Sequence, residues 1–243
     1  MPSEPLERCA HNGVAFLRFA SWDVPHAISL RRGAGGGAAP EPSAPDLLAA
    51  AGLEDRQLVL PRQRHTSSVL RLESGREAEQ GDCDALITDN PKLVLGIQTA
   101  DCIPVLIVDP IRRTIGAVHA GWRGSLGQIV PRAIEALGAA FGSQPCDLRV
   151  ALGPAIGGCC YEIGADLAAA FAQRWPHAVT PLPGGKARLD LRAVNAAQAQ
   201  AAGVGSDHMV QAPDCTRCQT EFPSYRRDGQ GCGRILTLLA INP

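Results

Sequence analysis

Short apolar runs separated by turn residues occupy most of the chain. Residues 14–19, 58–60, 85–88, 93–97, 105–108, 115–119, 148–152 and 235–241 read as strands, because they are rich in Val, Ile and Leu and too short for helices. A longer period appears over 126–141. There Leu126, Ile129, Val130, Ala133, Ile134 and Leu137 recur at three-to-four spacing, which predicts a helix with one buried stripe. Residues 46–51, 164–175 and 191–202 read as further helices. The stretch GAGGGAAPEPSAP, residues 33–45, reads as a flexible loop. Strands with helices among them indicate α/β or α+β layers and exclude a helix bundle. Neither a fixed-period repeat nor a domain boundary stands out, so residues 1–243 are expected to form a single domain.

Composition supports a globular reading and removes several classes. With 45% hydrophobic and 19% charged residues the chain can bury a sizeable core, which excludes wholesale disorder. Aromatic residues make up only 4%, so that core must be built from Ala, Val, Leu and Ile. The net charge of −1 leaves no global field to hold a nucleic acid or an anionic membrane. No run approaches the ~20 apolar residues of a membrane span. The first ten residues carry Glu4, Glu7 and Arg8 where a secretory signal would be basic and then apolar, so the expected location is cytoplasmic. Nine cysteines without an export signal predict free, buried or metal-bound thiols and no disulfide framework.

Three segments place polar residues where a plain core strand would not. They are Arg62-Gln63-Arg64-His65-Thr66, Thr99-Ala100-Asp101-Cys102-Ile103-Pro104 and His119-Ala120-Gly121-Trp122-Arg123-Gly124. Polar groups at strand ends next to Gly-containing turns are the usual setting of an α/β active site. His65, Cys102 and His119 offer two imidazoles and a thiolate, a set suited to zinc, and three ligands would leave a fourth position open for chemistry. The bland alternatives are a hydrogen-bonded core histidine at His119 and a small buried hydrophobe at Cys102. Cys159 and Cys160 read as core or helix-entry thiols. The pair Cys215-x₂-Cys218 has half a zinc-ribbon spacing, and with no second CxxC it predicts no structural zinc.

The runs ALITDNPKLVLGIQTADCIPVLIVD, AVHAGWRG, LGPAIGGCCYEIG and CT-x₆-PSYRRDG-x₃-GR together resemble the laccase-domain family, formerly called polyphenol oxidases and now described as purine nucleoside phosphorylases. The resemblance extends from about His65 to Ile241. It implies mixed β-sheets layered with helices on the outside, and a zinc site at His65, Cys102 and His119. Toward the N-terminus the match is weaker, and in HAISLRRG the best counterpart of the family's motif arginine is Arg31. The family's FFSYRR motif is altered here to Phe222-Pro223-Ser224-Tyr225-Arg226-Arg227.

The implied reaction is phosphorolysis of adenosine, inosine or methylthioadenosine to free base and a ribose 1-phosphate, with adenosine deamination as a side activity. The partners are then a nucleoside and phosphate, with no nucleic acid and no membrane, and the oligomeric state is left open. Cys102, Asp101 and Arg31 are the candidate catalytic residues. Arg31, Arg123, Arg226, Arg227 and Asp84 are the candidate substrate- or phosphate-binding residues, because a guanidinium fork matches phosphate oxygens and a carboxylate can orient a ligand imidazole. For Arg226 and Arg227 a structural role, pairing with Asp228 or ordering the C-terminal turn, weighs more heavily; for Asp84 the alternative is a turn or capping role. Zinc there could hold phosphate, polarise the substrate or lower the pKa of bound water.

Three competing readings remain. Cys102 and His119 could form a metal-free dyad of an amidase acting on a cell-wall precursor peptide. A His₂Cys set also suits copper, but six histidines, with His11, His26, His177 and His208 scattered, cannot supply a multicopper centre, so copper oxidation would be adventitious. A non-catalytic zinc-stabilised interaction protein would need a closed four-ligand site.

Overall fold

The computed structural model describes residues 2–31, 41–79 and 81–242. Strands β1 (Leu6–His11), β2 (Val14–Phe19) and β3 (His26–Ser29) lead into helix α1 (Ala44–Ala50). Then come β4 (Gln57–Val59), β5 (Val69–Arg71), β6 (Ala85–Thr88), β7 (Leu93–Thr99), β8 (Ile103–Asp109) and β9 (Thr114–Ala120), followed by α2 (Trp122–Leu126) and α3 (Ile129–Phe141). The remainder is β10 (Arg149–Leu152), β11 (Glu162–Ile163), α4 (Ala165–Ala172), β12 (Val179–Pro181), β13 (Ala187–Leu189), α5 (Leu191–Ala201), β14 (Met209–Gln211), α6 (Tyr225–Asp228) and β15 (Ile235–Ala240).

Two six-stranded mixed sheets carry the fold, in the orders β1-β2-β3-β15-β7-β4 and β14-β10-β8-β9-β6-β5, beside a small sheet β11-β13-β12. Pairing is mostly antiparallel, with parallel neighbours β4/β7, β5/β6 and β10/β14. One apolar cluster lies between the large sheets and joins Phe19, Ile28, Leu95 and Leu239 to Leu86, Leu106 and Ala117. A second joins the outer face of the β8/β9 sheet to α3, α4 and α5. A third sets α1 against the outer face of the β7/β15 sheet. The result is a helix–sheet–sheet–helix stack, the layered α+β arrangement with outer helices that the resemblance implies.

This stack explains the hydrophobic pattern. In β8, Ile103, Val105 and Ile107 face the helical layer while Leu106 and Val108 face the other sheet, so both sets are buried. A strand covered on both faces reads as a continuous apolar run, which is why 105–108 and 115–119 carry so clear a signal. β1 carries none: its LERCAH sequence lies on a sheet edge with mostly exposed side chains.

Other boundaries shift for local reasons. Residues 33–40 of the expected loop lie outside the described residues, but 44–45 form the first turn of α1, where the Ser43 hydroxyl accepts the Asp46 N–H in a capping box. The helix expected over 126–141 begins at Ile129, and Leu126 instead ends the short α2. Gln128 takes φ 60°, which no α-helix tolerates, and turns the chain between α2 and α3. Among the described residues no helix is long and apolar enough to cross a membrane.

The left-handed conformation of Gln128 yields a stability prediction. Its side chain makes no capping hydrogen bond, so Gln128→Gly should relieve backbone strain and stabilise the protein by about 1 kcal/mol, roughly 2–4 °C in melting temperature. A variant that melts below the wild type would contradict this.

Candidate metal centre and pocket

The three donors come from separate elements that meet at one end of the β8/β9 sheet. His119 stands near the end of β9, opposite Pro104 of β8. Cys102 lies in the turn between β7 and β8, and His65 lies in the segment between β4 and β5. Their ligand atoms all fall within 4.8 Å of one another. Cys102 Sγ is 3.9 Å from His65 Nε2, and the two imidazoles meet edge to face at 4.9 Å between centroids.

The arrangement is held by Asp84, immediately before β6, the strand beside β9. Its side chain is fully buried. It accepts the His119 Nδ1–H at 2.6 Å, the Thr66 N–H and hydroxyl at 2.6 and 2.8 Å, and the N–H groups of His65 and Arg64 at 3.0 and 3.1 Å. Burial alone would raise its pKa, but the hydrogen bonds from His119, Thr66 and Arg64 outweigh that and hold it well below the usual carboxylate range. One anion thus directs His119 Nε2 toward the cluster and fixes the backbone on both sides of His65. A carboxylate behind a ligand imidazole is the arrangement expected around a metal. His65 takes φ 60° and Asp101 φ 82°, so two non-glycine residues of the site occupy the left-handed region.

Glycines of the His119–Gly124 segment keep the donors close. A Cβ at Gly121 would come within 2.9 Å of both Cys102 Sγ and His65 Cδ2, and one at Gly124 would lie 3.1 Å from the Thr66 carbonyl oxygen. Only bare backbone lets α2 approach the 65–67 segment this closely. The charges also suit a cation. Burial would raise the Cys102 thiol, yet hydrogen bonds and charge from His119 and His65 bring it down to about 7. His119, which burial would lower, is pushed up to about 9 by Asp84 and Cys102. The residues therefore fit a metal ion: a ready thiolate, an imidazole oriented by a buried carboxylate, and three donors. No fourth His, Cys, Asp or Glu joins this group among the described residues.

The donors line a pocket of about 540 Å³, within the range that holds a small-molecule ligand. Its wall includes Trp122, Tyr161, Tyr225, Gln63, Gln98, Arg226 and Arg234. The Gln63 side chain braces the Gln98 backbone, donating to its carbonyl at 2.7 Å and accepting its N–H at 2.9 Å. Burial, with the Cys102 charge, pushes the Tyr161 hydroxyl up to about 12, so it stays protonated and able to donate.

The sequence candidates separate in space. Arg226 lines the pocket, stacked over Tyr161 at 5.1 Å and donating to the Glu162 carbonyl. Arg123 is exposed and stacks on Trp122 at 4.2 Å. Arg31 does not line the pocket; it pairs with Asp228 at 2.5 Å and donates to the Cys232 carbonyl. Arg227 likewise pairs with Asp228 and donates to the carbonyls of Thr216, Gln219 and Phe222, ordering the turn before α6. Asp84 is sealed from any substrate. Asp101 touches the pocket, but Thr216 Oγ1 and the Arg226 N–H bind its two oxygens at 2.6 and 2.7 Å, so it positions the turn carrying Cys102. Tyr161, Tyr225 and Arg234 were not among the sequence candidates. A signal existed: the chain has only two tyrosines, and each lies within one of the quoted motifs.

The family model described as multi-copper polyphenol oxidoreductase laccase matches residues 43–242. A protein named purine nucleoside phosphorylase from Deinococcus radiodurans is 36% identical over 94% of both chains. One named adenosine deaminase RL5, from an unknown prokaryotic organism, is 35% identical over 76% of both. Among solved structures, YlmD from Geobacillus stearothermophilus superposes with a TM-score of 0.83 at 25% identity, covering 98% of this chain and 100% of that one.

Asp84 gives a test with a definite pH signature. Asp84→Asn removes a buried, multiply bonded anion and should cost about 3 kcal/mol at pH 7 in urea unfolding of metal-stripped protein. The folded pKa lies below the unfolded value of ~3.9, so the contribution is complete above that value and is lost as pH falls toward the folded one. The gap between wild type and variant should therefore narrow in acid, and it should also shrink from about pH 6.5 toward 9, where the His119 proton that Asp84 holds is lost. A gap that widens in acid would contradict the assignment.

Proposed function

The chain belongs to the family described as multi-copper polyphenol oxidoreductase laccase, and on that premise we propose that it is a zinc-dependent purine nucleoside phosphorylase with adenosine deamination as a side activity. The observation that carries this reading is the convergence of His65, Cys102 and His119 on the floor of a pocket walled by aromatic rings and arginines. Three donors fit a catalytic ion better than a structural one. The multicopper description fits the residues less well. Only two of the six histidines belong to this group, and His26 is engaged with the Phe19 N–H and the Val24 carbonyl inside the core. Copper is then an adventitious occupant.

When bound, zinc supplies a Lewis acid at the pocket floor. The other tasks fall to the chain. Phosphorolysis breaks the bond between the ribose C1′ and the purine nitrogen and joins a phosphate oxygen to C1′. Arg226 and Arg234 offer guanidinium forks for the phosphate. Tyr161, Trp122 and Tyr225 offer ring faces and edges for the purine and its sugar. Asp84 and Asp101 act behind these groups: one orients His119, the other fixes the turn that presents Cys102.

A second reading draws on the same pair. In metal-free protein a Cys102 thiolate beside a protonated His119 resembles an activated thiol hydrolase, such as an amidase. Chelation separates the two, because a dyad enzyme keeps turnover when the metal is removed.

Metal analysis coupled to a phosphate-dependent assay of adenine release should show that Cys102→Ala loses the pocket ion and turnover together; equal turnover in variant and wild type would defeat the proposal. Arg226→Ala should raise the KM for phosphate at least roughly tenfold, the weight of one lost charged hydrogen bond. An unchanged phosphate KM would remove Arg226 from that role.

A further inference from the structure

Four thiols gather outside the pocket. Cys159 and Cys160 follow the turn after β10, and Cys215 and Cys218 lie in the segment between β14 and α6. Their sulfurs all lie within 4.8 Å of one another, with Cys160 to Cys218 at 3.3 Å and Cys159 to Cys218 at 3.9 Å. A tetrahedral zinc with bonds of ~2.3 Å keeps its sulfurs about 3.8 Å apart, so the four already stand near the required spacing.

The surrounding backbone holds the cluster in place. The Cys218 and Gln219 N–H groups donate to the Cys215 carbonyl at 3.1 and 3.0 Å, closing the CxxC segment into a tight turn. The Gly157 N–H donates to Cys215 Sγ at 3.2 Å. Amide donors aimed at sulfur stabilise its anionic, metal-bound form. The Arg217 side chain reaches Cys160, setting a positive charge beside a site that would carry two negative charges with a divalent ion. A Cβ at Gly157 would lie 3.0 Å from Cys159 Sγ, so the bare backbone there keeps room for that thiol.

We propose that Cys159, Cys160, Cys215 and Cys218 form a second, structural zinc site, closed by four protein ligands. The expectation that a lone CxxC cannot make such a site fails because the adjacent Cys159-Cys160 supplies the other pair. The ion would staple two segments that already touch. Ala155 bridges to Cys215, and the Thr216 N–H donates to the Ala155 carbonyl at 3.1 Å. Thr216 also holds Asp101, and Ile156 and Tyr161 line the pocket, so the staple would rigidify one wall of it.

The test uses full-length, reduced Cys102→Ala protein, in which the pocket site lacks its thiolate, so this result stands apart from the phosphorylase proposal. After chelator treatment, cobalt(II) alone should bind at one ion per chain. It should give the intense red-region absorption and thiolate-to-metal charge transfer of a tetrahedral all-sulfur site, and zinc should displace it. Cys160→Ser with Cys218→Ser should abolish that spectrum, with folding checked by far-UV circular dichroism. Cys218→His, which keeps four ligands, should retain the ion with an altered spectrum, and it decides the matter if the double variant fails to fold. The proposal is overturned if no thiolate–cobalt spectrum appears, if the serine variant binds as the parent does, or if intact mass shows the isolated protein to be two hydrogens lighter through a Cys160–Cys218 disulfide.

Discussion

A single buried carboxylate organises the functional end of this molecule. Asp84 has no access to solvent, and an anion so placed is tolerable only when donors surround it. Those donors are the imidazole of His119 and the backbone of residues 64–66, parts of the chain with no reason of their own to meet. Satisfying one charge therefore fixes two of the three candidate metal donors. Packing supplies the third, since Gly121 leaves room for Cys102 and His65 to lie against the start of α2.

The layered architecture explains why this meeting occurs where it does. Strands β6, β8 and β9 lie side by side with both faces covered, so their chemistry is confined to their ends. His119 and the turn carrying Cys102 lie at the same end because β8 and β9 pair antiparallel from Ile103↔Ala120 onward. The family carries a copper-oxidase description, yet its matched motifs here bring together two imidazoles and one thiolate beside aromatic rings and arginines. That donor set is better suited to Lewis-acid chemistry than to electron transfer through several coppers.

Much of this was legible in the residues. Doubly covered strands announce themselves as unbroken apolar runs, and the motif segments pointed to His65, Cys102 and His119. The roles of the arginines were harder to read, because sequence does not show which cation already has a partner: Arg31 and Arg227 converge on Asp228, whereas Arg226 and Arg234 reach the pocket. The start of that helix at Ile129 was hidden because the apolar period runs on from Leu126 across the left-handed Gln128. The four-thiol cluster was hidden because one of its pairs is contiguous, a spacing that suggests no ligand motif until the fold sets it against Cys215 and Cys218.

Two residues of the centre, His65 and Asp101, hold left-handed backbone that side chains other than glycine resist, at about 1 kcal/mol or more each. The scaffold stores that tension where it presents the donors. Selection for heat resistance alone would favour sequences that relax these positions, and the donors would drift apart as it succeeded. In this molecule durability and the donor geometry pull on the same few torsion angles, so a hardened descendant is most at risk of losing the convergence of its three donors before it loses its shape.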